Sequence, residues 1–141
     1  MIEWVIPGRL ARSGRPGYRG QGGGQVPQSD VEAWLADAKT LGIRSILCLL
    51  DENQLDFYRD LQGGLLGAYR RAGMTVGHVP VEDHQTPPIP PDLLEEVERL
   101  FTALPPPLLV HCSAGIDRTG AATEHILKTR SSADDTRSSR R

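Results

Sequence analysis

The chain has few cysteines, no long apolar run and little net charge, and each shortage excludes a class of protein. Two cysteines in 141 residues, Cys48 and Cys112, cannot build a disulfide framework, which favours a reducing compartment and predicts a cytoplasmic protein. No apolar stretch approaches the roughly 18 residues of a membrane span, and none resembles a signal-peptide core. A formal net charge of -2 gives no support for a nucleic-acid partner. We therefore expect neither a membrane nor a nucleic acid among its partners.

Length and composition predict one ordinary globular domain. A hydrophobic content of 38% and a charged content of 24% are typical of such proteins, and the length leaves little room for a second module. We expect the folded domain to occupy residues 1–130 and the protein to be a monomer. Residues 131–141 are rich in Ser, Arg and Asp and lack apolar periodicity, which predicts a frayed or disordered polar tail.

Short apolar runs alternate with helical patterns along the chain. Strands are predicted at residues 2–6, 45–50, 75–81 and 108–110, and helices at 29–41, 54–72, 92–104 and 121–130. Two of these helices begin with capping boxes, Ser29-x-x-Glu32 and Asp92-x-x-Glu95, and Gly63-Gly64 is expected to break a third. Residues 14–24 include six glycines and predict a flexible loop. The alternation predicts an α/β fold with a mostly parallel central sheet flanked by helices in three layers.

The most informative stretch begins at His111, directly after the last apolar run. Cys112 and Arg118 are separated by five residues, at a turn from strand to helix that predicts a phosphate cradle with a nucleophile at its floor. Backbone N–H groups of this loop and the start of the next helix favour an anion, and the same field favours thiolate over thiol at Cys112. Arg118 offers a planar fork that can hold two phosphoryl oxygens. Gly115 allows the tight bend.

These residues resemble the signature of the protein tyrosine phosphatase superfamily, His-Cys-x5-Arg-Ser/Thr. The resemblance to that superfamily covers the chain from about residue 4 to residue 130. The resemblance implies the fold of that superfamily and a metal-independent hydrolysis of phosphate monoesters, without a cofactor, through a cysteinyl-phosphate on Cys112. It also implies that His111 hydrogen-bonds neighbouring backbone and that the Thr119 hydroxyl lies near the sulfur. The implied phosphate-binding residues are Ser113, Ala114, Gly115, Ile116, Asp117 and Arg118. Asp117 would oppose a phosphate unless it points away, so we interpret it as a structural or substrate-tuning residue.

A general acid is expected on the loop that follows the strand at 75–81. Asp83 is the candidate, because it precedes Pro87-Pro88 and resembles the general-acid residue of small dual-specificity phosphatases, where proton donation contributes about 10²–10⁴ in rate. Glu82 is a rival one residue away. Asp83 could instead only cap a turn.

Two further features leave alternatives open. Arg12 and Arg15 belong to an Arg-Ser-x-x-Pro segment that resembles one near the active-site opening of small phosphatases. Either arginine could contact a second anionic group of the substrate or could be a solvated loop residue. Cys48 is interpreted as a small apolar core residue, with a regulatory disulfide to Cys112 as the alternative.

The resemblance leaves the substrate less defined than the chemistry. The chain has no insertion resembling the phosphotyrosine-recognition loop of the large classical enzymes, which indicates an atypical dual-specificity phosphatase acting on phosphorylated proteins or peptides. A phosphoinositide or another small phosphate ester is the alternative. Ile116 stands where the loops of lipid-directed phosphatases carry a lysine that would help to bind polyanionic inositol head groups, and this counts against the phosphoinositide. A phosphate-binding module without turnover is a second alternative.

Overall fold

Five short strands form one sheet in which four neighbouring strands run parallel. This computed structural model describes residues 2–19 and 24–139, with side chains as far as Arg130. The strand order is β1-β2-β5-β3-β4, and only β1 is antiparallel to its neighbour. The strands are β1 (Glu3–Ile6), β2 (Leu10–Ser13), β3 (Ser45–Cys48), β4 (Thr75–His78) and β5 (Leu108–His111).

Helices cover both faces of the sheet. One face carries α1 and α3, which pack on residues such as Ile46 and Leu109. The other face carries α4 and α5, which pack on Leu47 and Val110. Successive strand residues therefore enter opposite cores, as the pleat requires. The helices are α1 (Gln28–Thr40), α2 (Glu52–Leu55), α3 (Gly64–Arg71), α4 (Pro91–Ala103) and α5 (Asp117–Ser139), with a 3₁₀ turn at Asp56–Tyr58. The predicted three-layer α/β class is confirmed.

Strand β2 corrects the sequence interpretation most, because no strand was predicted there. Arg12 and Ser13 belong to β2, which pairs with β5 beside the cysteine loop. Leu10 and Ala11 are fully buried, but four residues between Pro7-Gly8 and a glycine-rich stretch are too short to show strand periodicity. The loop predicted at 14–24 has a defined backbone path up to Arg19, with hydrogen bonds from Arg15 N to Ser113 O and from Tyr18 N to Arg15 O. Arg15 and Tyr18 line the cleft beside the cysteine loop. Residues 20–23 of that loop lie outside the described residues.

Other boundaries differ in detail. The helix predicted at 54–72 is divided into α2, the 3₁₀ turn and α3, and the predicted break is confirmed because Gly63 and Gly64 have φ of 72° and 68°. Neither predicted capping box forms: α1 and α4 follow Pro27 and Pro90, and neither helix has a side-chain cap. A proline before the first turn already supplies extended backbone at that position.

The last helix begins earlier and ends later than predicted. It starts at Asp117, inside the motif, and its backbone remains helical to Ser139, past Arg130, where the folded domain was expected to end. The frayed or disordered tail predicted for 131–141 stays a prediction. Side chains beyond Arg130, and residues 140–141 altogether, lie outside the described residues, so the domain boundary stays a prediction.

Candidate active site

The carboxyl ends of the parallel strands meet at one cleft of about 300 Å³. This is the edge of an open α/β sheet where ligands bind. Strand β5 delivers the cysteine loop, the segment after β4 delivers the acid candidate, and the segments after β2 and β3 supply the remaining walls. The lining residues are Arg15, Tyr18, Gln54, Phe57, Asp83, His84, Cys112, Ser113, Ala114, Asp117 and Arg118.

The cysteine loop connects β5 to α5 in a tight bend. Cys112 directly follows β5 and is only 2% exposed, so its thiol is a nearly enclosed part of the cleft floor. Gly115 has a φ of 77°, a conformation that L-residues with a side chain adopt at a cost. A Cβ at Gly115 would lie 2.6 Å from Gly14 N. The glycine is therefore needed for both backbone conformation and space.

Arg118 donates hydrogen bonds from Nη1, whereas its Nε and Nη2 lack hydrogen-bond partners among the described residues. The side chain is 1% exposed, and its Nη1 donates to Leu49 O (3.2 Å), Val81 O (2.8 Å) and Gln54 Oε1 (2.8 Å). Its Nε and Nη2 have no hydrogen-bond partner among the described residues. Buried donors without partners are costly. Two adjacent buried donors in a cleft wall make a bidentate anion site.

Asp83 lies in the cleft and Glu82 does not. Asp83 Oδ2 is 3.2 Å from Arg118 Nη2, an ion-pair distance without hydrogen-bond geometry, and accepts a hydrogen bond from Gln54 Nε2 at 3.2 Å. Asp83 Oδ1 accepts from the His84 backbone N–H. Glu82 is exposed and absent from the cleft lining. The geometry therefore favours Asp83 over its rival.

The predicted arginine pair brackets the cysteine loop. Arg12 Nη2 donates to Gly115 O at 2.8 Å, while Arg15 donates from its backbone N–H to Ser113 O and from Nε to Ser113 Oγ. Arg12 is not among the residues that line the cleft of Cys112. Two loop carbonyls, Ser113 O and Gly115 O, are therefore occupied as acceptors by the arginine pair. Neither arginine is a solvated loop residue.

Arg15 also reaches the cleft itself, in an aromatic setting. It is 7% exposed, and its guanidinium carbon lies 4.8 Å from the ring centroid of Phe57 and 5.4 Å from that of Tyr18. Its Nη1 donates to Tyr58 Oη. Within residues 2–19 and 24–130 it forms no ion pair with a carboxylate. The aromatic faces stabilise the buried cation without neutralising it.

His111 points to the opposite face of the sheet from Cys112. It is fully buried against Trp34 and Tyr69, and burial lowers the pKa of its imidazole to about 4. The predicted bond to backbone is present, because Nδ1 donates to Cys112 O at 3.0 Å. Tyr69 Oη lies 2.8 Å from Nε2, and burial raises the pKa of Tyr69 well above 10. The tyrosine hydroxyl therefore donates to a neutral histidine.

The other predicted residues divide between core and surface. Thr119 is fully buried, and its hydroxyl has no hydrogen-bond partner among the described residues. Ile116 is 66% exposed. Asp117 is exposed at the cleft rim.

Cys48 is fully buried in the α1–α3 core, where burial raises the pKa of its thiol to about 12. Cys112 belongs to the α4–α5 core, and both thiols are free. The two cysteines thus lie on opposite faces, so the structure supports the core interpretation of Cys48 over the regulatory disulfide.

Sequence reasoning missed four cleft residues: Gln54, Phe57, Tyr18 and His84. Phe57 and Tyr18 form the aromatic wall around Arg15. Gln54 contacts both Arg118 and Asp83. Gln54 and Phe57 fall in a predicted helix, and Tyr18 falls in a predicted glycine-rich loop. A single amide or aromatic residue in such a segment belongs to no recognisable motif, and only the fold brings these side chains close to Cys112.

Two other kinds of site are absent from the described residues. Across the described residues, no group of three or more His, Cys, Asp or Glu side chains is placed to hold a metal ion. None of the helices in the described part of the chain is both long and apolar enough to cross a membrane.

Comparison with known proteins adds a family and a fold. The model of a family described as "Polymorphic toxin system, DSP-PTPase phosphatase" matches residues 24–131, which is most of the chain. No curated protein matches.

Among solved structures, the chain is similar to the core catalytic domain of the PP-IP phosphatase SIW14 from S. cerevisiae (24% identity, TM-score 0.55, covering 86% of this chain and 61% of that one). It is also similar to a putative phosphatase (DUF442) from Shewanella putrefaciens CN-32 (19% identity, TM-score 0.65, 92% and 69%). A third is the kinase associated phosphatase KAP (22%, TM-score 0.58, 83% and 65%). The chain thus spans less than two thirds of SIW14 and KAP as solved. At these identities the likeness shows the fold alone, which is that of the protein tyrosine phosphatases.

Proposed function

We propose that this chain, which belongs to the polymorphic toxin system DSP-PTPase phosphatase family, hydrolyses phosphate monoesters through Cys112. The family match confirms the resemblance drawn from the motif: the chain is a small atypical dual-specificity phosphatase of the protein tyrosine phosphatase superfamily. One observation carries the proposal for this site. Arg118 is buried in the cleft of Cys112, and its Nε and Nη2 have no hydrogen-bond partner among the described residues, although Nη2 lies 3.2 Å from Asp83 Oδ2.

The proposed reaction has two displacements at phosphorus. The Cys112 thiolate attacks while Arg118 and the loop N–H groups hold the equatorial oxygens, which stabilises the charge that develops in the transition state. The bond to the leaving oxygen breaks as Asp83 protonates it, and a cysteinyl-phosphate forms. Asp83, now a carboxylate, removes a proton from the water that attacks phosphorus and releases the thiolate and inorganic phosphate. A reducing cytoplasm would keep Cys112 as a thiol, and the scheme needs no second subunit.

The aromatic wall supports phosphotyrosine as the preferred substrate group. Phe57 is half-buried and Tyr18 is 38% exposed, and both line the cleft, so a phenyl ring bound at Cys112 would have aromatic surfaces to pack on. Phenoxide is also a better leaving group than a seryl or threonyl alkoxide. We expect hydrolysis of phosphotyrosine peptides to exceed that of phosphothreonine peptides, with measurable activity on both.

A small ester with several phosphates is the second candidate. It is supported by Arg15, a buried cation at the cleft with no carboxylate partner among the described residues, since a second anionic group could lie beside it. SIW14, which has a similar fold, is described as a PP-IP phosphatase. Against this candidate, Ile116 provides no cation on the loop, and Asp117 lines the same cleft.

The test of the activity uses the nucleophile and the anion fork. Purified protein should hydrolyse an aryl phosphate in the presence of a chelator. Cys112→Ser should abolish turnover while still binding a phosphorylated peptide. Arg118→Lys should lose most of kcat/KM, because an ammonium cannot replace the bidentate fork. Full activity in Cys112→Ser, or activity that requires an added divalent metal, would overturn the proposal.

The test of the substrate compares kcat/KM across matched phosphotyrosine and phosphothreonine peptides, inositol phosphates and phosphoinositides. Higher values on the inositol compounds than on every phosphotyrosine peptide would establish the second candidate. In that case Arg15→Met should lower inositol phosphate hydrolysis more than hydrolysis of a small aryl phosphate.

A further inference from the structure

Gln54 connects the anion fork to the acid candidate by two hydrogen bonds. Its Oε1 accepts from Arg118 Nη1 at 2.8 Å, and its Nε2 donates to Asp83 Oδ2 at 3.2 Å. The side chain lies on the cleft wall, on α2, whose first turn is capped by Asp51. Asp51 Oδ1 accepts from the Gln54 backbone N–H at 2.9 Å. The residue is thus anchored at its backbone and directed into the site.

The orientation of the Gln54 amide follows from its partners. A guanidinium can only donate and a carboxylate can only accept. The amide oxygen must therefore face Arg118, and the amide nitrogen must face Asp83. A residue with only donors or only acceptors could not make both contacts.

Gln54 completes a set of neutral acceptors around one edge of Arg118. Nη1 donates to two backbone carbonyls, Leu49 O and Val81 O, and to the Gln54 amide oxygen. These bonds fix the plane of the guanidinium, while Nε and Nη2 have no hydrogen-bond partner among the described residues and Nη2 lies 3.2 Å from Asp83 Oδ2. Because the acceptors on Nη1 are neutral, Gln54 holds Arg118 without adding a negative charge of its own.

The same amide also holds the Asp83 carboxyl group. Gln54 Nε2 donates to Asp83 Oδ2 at 3.2 Å, on the side of the carboxyl group that faces Arg118. The guanidinium of Arg118, from α5, lies 3.2 Å from Asp83, and the titratable ring of His84, from its own loop, lies 3.6 Å away. Cys112, Asp117 and Arg15 line the same cleft.

We propose that Gln54 is a positioning residue of this phosphatase site, which sets the anion affinity of Arg118 and holds the Asp83 carboxyl group in the cleft. The inference rests on the proposed function. It requires a neutral amide at this position: a carboxylate would pair with Arg118 and repel the ionised Asp83, whereas an apolar side chain would release both groups.

The variants that separate these effects are Gln54→Glu and Gln54→Met. Asn53→Asp is the matched control, because it makes the same amide-to-carboxylate change on the same turn of α2, at an exposed position outside the cleft lining. For each protein, the vanadate inhibition constant, the pH profile of kcat/KM on a phosphopeptide that needs the general acid, and the midpoint of thermal unfolding would be measured.

Gln54→Glu should weaken vanadate inhibition roughly tenfold or more, the scale of a charge-assisted contact, and should move the basic limb of the profile to higher pH, because a nearby negative charge favours protonated Asp83. Gln54→Met should move the limb in the same direction by less, since it removes a donor without adding charge, and should weaken vanadate less than Gln54→Glu. Asn53→Asp should match the wild type in both readouts.

A purely structural role for Gln54 would lower the unfolding midpoint and the rate without moving the limb, and that outcome overturns the inference. So does equal vanadate affinity in Gln54→Glu and Asn53→Asp. Cys112→Ser distinguishes the two levels of the argument: if it keeps full activity, the proposed function fails, whereas an inactive Cys112→Ser beside unshifted Gln54 variants refutes only the role of Gln54.

Discussion

Arg12 and Gly115 are joined by a hydrogen bond across the sheet edge: Arg12 Nη2 donates to Gly115 O at 2.8 Å, although 103 residues separate them in sequence. The bond ties β2 to the bend of the cysteine loop. It holds a carbonyl on the outside of the loop, which is what an anion cradle needs, because an inward carbonyl would repel a phosphate.

Removing this bond should lower activity more than stability. A hydrogen bond that involves a charged group contributes about 1.5–3 kcal/mol, so we expect Arg12→Met to lower kcat/KM on an aryl phosphate by roughly 10- to 100-fold if the full loss falls on the loop. Arg9→Met is the control, since Arg9 is exposed and contacts Phe101, outside the cleft lining. Equal kcat/KM values for the two variants would contradict a bracing role for Arg12.

Gly115→Ala should destabilise the fold far more than Gly8→Ala, although both glycines have nearly the same φ, 77° and 73°. Left-handed strain alone costs about 1–2 kcal/mol, and that is all we expect at Gly8, where a Cβ has nothing within 4 Å. At Gly115 the Cβ would lie 2.6 Å from Gly14 N and Ser13 C, so overpacking adds about 1–3 kcal/mol. Urea unfolding of both variants measures the difference, and similar losses would show that the loop yields to the methyl group.

Asp83→Asn should separate substrates by their leaving groups. Without a proton donor, phosphopeptides with poor leaving groups should slow by about 10²–10⁴, while activated aryl phosphates slow much less, and the basic limb of the pH profile should disappear. Glu82→Gln is the control, because Glu82 is exposed outside the cleft lining. The reverse pattern in the two variants would transfer the acid role to Glu82.

Stability should fall as the pH decreases through the range set by His111. The pKa of this buried imidazole is about 4 against 6.5 for an ordinary histidine, so the unfolded chain binds more protons between these values. The stabilising effect is therefore complete above about pH 6.5 and is lost toward pH 4, by about 3 kcal/mol in all. Urea unfolding at a series of pH values measures this slope.

A substitution isolates the histidine from the carboxylates that titrate in the same range. His111→Gln, which cannot take up a proton, should be less stable than the wild type at pH 7 but should show a smaller decrease in stability from pH 6.5 to pH 4. His84→Gln, at a side chain that is 72% exposed, should keep the full wild-type slope. A wild-type slope in His111→Gln would mean that another group causes the acid sensitivity.

The cysteine motif could be predicted from sequence because its geometry is local. Cys112, Gly115 and Arg118 lie within seven consecutive residues, so the bend that brings them together depends on a single glycine and the start of a helix. The three-layer class was also predictable, since the runs at β3 and β5 are buried on both faces and alternate with helical patterns.

The surroundings of the motif could not be predicted, because they depend on contacts between distant segments. Strand β2 has only four residues, and its burial becomes evident only when it pairs with β5. The sequence likewise left open whether Arg12 is a solvated loop arginine, and only the folded chain brings the Gly115 carbonyl within its reach.

The sequence by itself determined which reactive groups this loop contains. A thiol, a guanidinium and a glycine that can adopt a positive φ stand at fixed spacing in one short segment, and their identity and spacing are properties of the covalent chain. Only the tertiary structure decided what the chemistry is coupled to. Gln54 reaches Arg118 and Asp83 across 64 and 29 residues of chain, and Cys48 is separated from Cys112 by the sheet itself. Such relationships arise from strand order and packing, because a side chain's partners are set by where the backbone passes and not by its neighbours in sequence.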